Sequence, residues 1–125
     1  MEKIDFDKQG GMVPVVVQDY RTKEVLMLAY MNPEAFRKTQ RTKKAHYYSR
    51  SRDKLWLKGE ESGHYQQVKA IFVDCDNDTI LLHVNQLGRG ACHMGYRSCF
   101  FRRKDGSRWS LVGKKDFDPK EVYGK

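Results

Sequence analysis

The sequence has no apolar run approaching the roughly 20 residues needed to span a bilayer. Its opening stretch, MEKIDFDKQGG, lacks the apolar core of a secretory signal. The expected location is therefore the cytoplasm, with no membrane partner. No internal repeat, low-complexity tract or Pro/Gly/Ser-rich linker interrupts the chain. The 125 residues read as one domain, too short for a barrel enzyme with its ring of helices, with 1–12 and 114–125 as peripheral tails. Cysteine is scarce: there are three, with no CxxC pair, which excludes a zinc ribbon or knuckle of the usual spacing. In a reducing compartment, an odd count suits thiolate ligands better than disulfides.

What the chain has in excess is positive charge. The 24 Lys and Arg against 16 Asp and Glu give a net charge of +8, a field that favours nucleic acid or a small phosphorylated substrate without choosing between them. Residues 13–18 (VPVVVQ) are β-branched and carry a proline, which predicts an edge strand. Residues 24–31 (EVLMLAYM) return as its hairpin partner. Asn32-Pro33-Glu34 is a helix start: a capping side chain, a proline at the first helical position and an acid at the positive end of the dipole. The short helix it opens fades near Thr42. From Ala45 onward the pattern is β, with strands in AHYYSRSR, KLWLK, 68–76, 79–85, SCFFRR and RWSLV. The expected class is α+β, a β-dominated domain with one short helix in its N-terminal third.

The segment DCDNDTILLHVNQLGRGACHMGYRSC holds all three cysteines and three alternating carboxylates. In extended form Asp74, Asp76 and Asp78 would share one face, with Cys75 on the other. Three neighbouring carboxylates repel, and a hard cation such as Mg²⁺ relieves that. An EF-hand is excluded, because its glycine position is Thr79 and its twelfth-position glutamate is Asn85. The plain alternative is a solvated acidic turn. Cys75, Cys92 and Cys99 would leave a fourth position on zinc for water, as catalytic sites do. His93 either serves as acid or base at that water or closes the site as fourth ligand. Buried cysteines also occur as small core residues.

The basic, aromatic stretch KKAHYYSRSRDKLWLK, residues 43–58, admits three readings. Tyr47, Tyr48 and Trp56 with Arg50 and Arg52 suit stacked bases along a nucleic-acid strand. They equally suit one phosphorylated nucleotide held by arginine forks. A hairpin with aromatics inward and charges outward shows the same alternation.

The blocks LMLAYMNPEAF, HYYSRSRDKLWLKGEESGHYQQV, DCDNDTILLHVNQ and GACHMGYRSCFFR, ordered over most of the chain, closely resemble the phosphoribosyl-AMP cyclohydrolases of histidine biosynthesis. The resemblance implies hydrolytic opening of the adenine ring at N1–C6 by zinc-activated water. It implies an intertwined homodimer in which Cys75 of one subunit joins Cys92 and Cys99 of the other on zinc. Asp74, Asp76 and Asp78 match the magnesium ligands and His93 the acid/base residue. A substrate with two phosphates gives the +8 charge a reason without nucleic acid. Arg50, Arg52 and Lys58 become candidate phosphate or purine contacts, with Ser49, Glu60, Ser62 and His64 beside them.

Three positions depart from the family pattern. Lys43 stands where a glycine is usual, Tyr48 replaces a common tryptophan, and QLGRGACH is one residue longer than the usual loop. The short remainder after Arg103 implies a cyclohydrolase without a fused pyrophosphohydrolase domain.

Overall fold

Alternation along two strands sets the architecture. In β1 (Val13–Asp19) and β6 (Ile80–Gln86), every second residue is buried: Val13, Val15 and Val17 in one, Ile80, Leu82 and Val84 in the other. Each such side chain contributes about 1.5–3 kcal/mol when fully removed from water. The strands lie side by side, Val15 against Ile80 through Asp19 against Val84, and run parallel. β2 (Val25–Met31) pairs antiparallel with β1, and β5 (Gln66–Val73) antiparallel with β6, giving the order β2-β1-β6-β5. A computed structural model provides these coordinates and describes residues 4–88 and 90–115.

α1 (Pro33–Thr42) covers the buried face of the sheet. Asn32 caps it, Oδ1 accepting from the Ala35 amide at 2.8 Å, and Ala35 and Thr39 face the core. The helix ends on Lys43 in the left-handed region (φ 64), whose amide donates to Thr39 O at 2.9 Å. A hairpin of β3 (His46–Ser49) and β4 (Lys54–Leu57) follows, with Tyr47 fully buried among the core residues and Leu55 and Trp56 packed against them. The Tyr47 hydroxyl donates to Gln66 Oε1 at 2.6 Å, and Gln66 Nε2 donates to Gln86 Oε1 at 2.9 Å, so these buried polar groups satisfy one another. At the N-terminal side, Ile4 and Phe6 pack on the core, and a 3₁₀ turn spans Asp7–Gln9. The last pair, β7 (Arg102–Asp105) and β8 (Arg108–Leu111), forms a separate, largely exposed hairpin.

The result is the expected α+β, strand-rich single domain with one α-helix among the described residues. Three local expectations change. β1 is central rather than an edge strand, and Pro14 is tolerated because pairing to β6 begins only at Val15. β5 stops at Val73, so Asp74, Asp76 and Asp78 lie on a tight turn, with Asn77 at φ 63, rather than along one strand face. The SCFFRR strand begins only at Arg102, because Ser98 and Cys99 are turned toward β2 by their own hydrogen bonds. The expected C-terminal tail falls mostly outside the described residues.

The far face of the sheet carries an apolar strip beside the polar Gln18, His83 and Asn85. Val16 pairs with Leu28 and Leu81 with Phe72, on the side opposite the core; Leu28 is 47% and Phe72 46% exposed.

Candidate active site

The end of β4 and the loop after it wall a cavity of about 390 Å³, lined by Ser49, Arg52, Lys54, Trp56, Lys58, Glu60 and their neighbours through Ser62, with His93 reaching in from a distant loop. Lys54, Trp56 and Lys58 occupy alternate positions, which turns them toward the same side. Gly59 (φ 93) makes the sharp exit from the strand; a Cβ there would lie 2.5 Å from the Tyr65 amide nitrogen.

His93 owes its place to a tight turn. Gly95 N donates to Cys92 O at 3.0 Å, leaving His93 and Met94 exposed at the corner. The loop behind it is a closed ladder, Ala91 N to Arg97 O at 2.9 Å and Cys92 N to Tyr96 O at 3.1 Å. Arg97 moors that loop, its guanidinium reaching Asp19 Oδ2 at 2.5 Å and Glu24 Oε1 at 2.9 Å. A further bond runs from Cys99 N to Leu26 O at 2.7 Å.

These restraints bring Cys92 and Cys99 together. Cys92 is buried, whereas Cys99 keeps an open side. Burial, with the Cys92 thiol beside it, pushes the Cys99 thiol up to about 12, against the pull of the Lys58 ammonium. Lys58 Nζ donates to Ala91 O at 2.6 Å. Burial pulls its pKa below the ordinary lysine value, while Cys99 and Cys92 oppose that shift.

Cys75 lies elsewhere. It follows β5 at the end of the sheet where β1 and β6 begin, whereas Cys99 is bonded to Leu26 at the other end, on the opposite edge. These corners are on the order of 20 Å apart by strand rise and spacing. Asp74, Asp76 and Asp78 do converge, with carboxylate oxygens within 4.8 Å of one another, the one such group of three possible ligands among the described residues. Slight desolvation works to raise the Asp74 pKa, but bonds from the amides of Asp78 and Thr79 outweigh it and lower the value. The N-terminal segment leans on this turn, Lys8 Nζ lying 3.4 Å from Asp78 Oδ2 and 3.1 Å from Asp76 O.

Of the sequence candidates, Ser49, Arg52, Lys58, Glu60, Ser62 and His93 share the cavity. Arg50 does not: its guanidinium sits 3.9 Å over the Tyr30 ring, in an adjoining open groove that shares only Ser49 and Trp56 with the cavity. His64 also lies outside, its ring packed against Gly88, where a Cβ would come within 2.2 Å. That contact, with φ +73 at Gly88, accounts for a glycine in the lengthened loop. Lys54 and Glu61 were not singled out from sequence; the two-residue spacing of Lys54 from Trp56 and Lys58 was the available sign for the first.

A strand-rich domain that gathers cations, carboxylates and a histidine around one cavity has the build of a small α+β enzyme. The phosphoribosyl-AMP cyclohydrolase family model matches residues 27–101. A phosphoribosyl-AMP cyclohydrolase of Methanoregula boonei is 58% identical over 117 residues, 94% of this chain and 92% of its own length. Those of Desulfatibacillum aliphaticivorans and Methanospirillum hungatei are 55% and 58% identical over 125 residues, all of this chain and 100% and 92% of theirs. The chain belongs to the phosphoribosyl-AMP cyclohydrolase family, hydrolases of histidine biosynthesis. No helix among the described residues is long and apolar enough to cross a membrane.

Proposed function

We propose that this cytoplasmic enzyme opens the adenine ring of 1-(5-phosphoribosyl)-AMP at N1–C6, with zinc held by Cys92 and Cys99 of one subunit and Cys75 of a second. The observation that carries the reading is the convergence of His93, Arg52, Lys58, Glu60 and Ser62 on one cavity, beside a pair of thiols. Two adjacent soft donors suit zinc, and the third thiol of the same chain is too distant to complete the set. A homodimer supplies it, and the apolar strip of Val16, Leu28, Leu81 and Phe72 gives such a dimer a surface to bury. Asp74, Asp76 and Asp78 offer only oxygen donors, the chemistry magnesium requires. Zinc, when bound, lowers the pKa of a water toward neutrality, and magnesium offsets the charge of the acidic turn.

The remaining tasks fall to side chains. His93, exposed at the lip of the cavity, takes the proton released on attack at C6 and returns one to N1 as the bond breaks. Arg52 meets one phosphate with Ser49 beside it, and Arg50 in the adjoining groove meets the other. Trp56, common to both spaces, offers its face to the purine. Glu60 and Ser62 complete the polar wall, and the His64 amide, donating to Ser62 Oγ at 3.1 Å, holds Ser62 in it.

Turnover of phosphoribosyl-AMP, followed spectroscopically before and after chelation, tests this. Ring opening that disappears on chelation and returns with zinc plus magnesium is expected. A folded dimer with full metal content and no turnover would overturn it.

A further inference from the structure

Lys58 lines the candidate cavity, and its ammonium is held by a backbone carbonyl. Nζ is 2.6 Å from Ala91 O, the carbonyl of the peptide that enters Cys92. The amide of that same peptide, Cys92 N, donates to Tyr96 O at 3.1 Å. The peptide plane is thus fixed from both sides, and with it the direction in which the Cys92 side chain leaves the backbone. Lys58 is itself well anchored: its amide donates to Ala45 O at 3.1 Å, directly after β4. The same ammonium interacts most with the Cys99 thiol and next with Cys92. Arg52 and Lys54, by contrast, are exposed residues of the cavity wall and available to an anion.

We propose that Lys58 is a positioning residue for the thiol pair: it fixes the Ala91–Cys92 peptide and places one positive charge beside the two sulfurs, and so sets metal affinity rather than phosphate binding. This rests on the reading of Cys92 and Cys99 as zinc ligands. Three thiolates on a dication leave one net negative charge, and a half-buried ammonium beside them offsets it. Partners behind metal ligands commonly set affinity by about 10- to 100-fold.

The test is a cobalt(II) titration of the metal-free full-length protein without nucleotide, read by thiolate-to-metal absorption. Lys58→Met is expected to bind cobalt about 10- to 100-fold more weakly, and Lys58→Arg, which keeps charge and donor, to stay near wild type. With zinc saturating, Lys58→Met should lower kcat and leave KM for phosphoribosyl-AMP unchanged. Wild-type cobalt affinity in Lys58→Met together with a raised KM would overturn the inference and make Lys58 a phosphate contact. A wild-type protein whose cobalt spectrum lacks thiolate bands would instead overturn the ligand assignment, and this inference with it. Circular dichroism checks that each variant folds, and Lys58→Gln serves the same titration if Lys58→Met does not.

Discussion

Arg97 and Asp19, 78 residues apart in sequence, meet at 2.5 Å and so tie the cysteine loop to the end of β1. Asp19 is 3% exposed and also accepts the amides of Arg21 and Thr22 at 2.8 and 2.9 Å. Arg97 is 31% exposed and keeps Glu24, so only Asp19 loses a buried partner, and Asp19→Asn should lose about 1–2 kcal/mol in urea unfolding.

The same pair has a pH signature. Desolvation works to raise the Asp19 pKa, but the amides of Thr22 and Arg21 and the charge of Arg97 outweigh it and hold it below 3.8. A carboxylate with a depressed folded pKa favours the folded state above its unfolded value and loses that contribution as pH falls through the folded one. Melting temperature should therefore drop below pH 3.8, more steeply in wild type than in Asp19→Asn.

A shared zinc site makes a complementation prediction. Cys75→Ser and Cys92→Ser homodimers should each be inactive. Mixing and re-annealing them should restore up to about a quarter of wild-type activity, because half the dimers are mixed and each carries one intact site. Activity that stays absent in verified mixed dimers would place all three thiols within one chain's site.

His93→Ala should keep zinc and the dimer while kcat falls by about 10²–10⁴-fold, the usual worth of a positioned acid/base. Metal analysis and sedimentation alongside kinetics check this. Zinc lost together with activity would make His93 a ligand instead.

Lys43 closes α1 at φ 64, a conformation that glycine adopts without steric cost. Lys43→Gly should raise stability by about 0.5–1 kcal/mol, seen as a shifted urea midpoint at constant slope.

What the sequence disclosed follows from how local each signal is. Asn32, Pro33 and Glu34 start a helix through contacts within one turn, so they could be read in isolation. The β1–β2 hairpin was equally local. The central position of β1 was not, since its other neighbour lies some 65 residues on, at the level of Gln18 and His83. The acidic trio was legible from its spacing, but strand face and acidic turn both stayed open, because no pattern announces that Asn77 will turn left-handed. Seven cavity residues, Trp56 among them, were named from sequence, whereas Arg50 and His64 lie outside the cavity. Which way a long side chain points is settled by its distant neighbours: the Tyr30 ring under Arg50, and Ala91 O in front of Lys58.

The parallel pairing of β1 with β6 has a consequence for synthesis. During translation β1 and β2 can close as a hairpin early, but β1 keeps one open edge until residues 80–84 leave the ribosome. Unpaired strand edges of this kind recruit other chains. Proline at the start of β1 and Gln18 and Asp19 at its end make that waiting edge a poor template. The two sulfurs emerge only after every strand of the sheet has been synthesised, and Leu26 O and Asp19 then receive Cys99 N and Arg97. A nascent chain therefore has no assembled soft-metal trap to scavenge copper or zinc before it has folded.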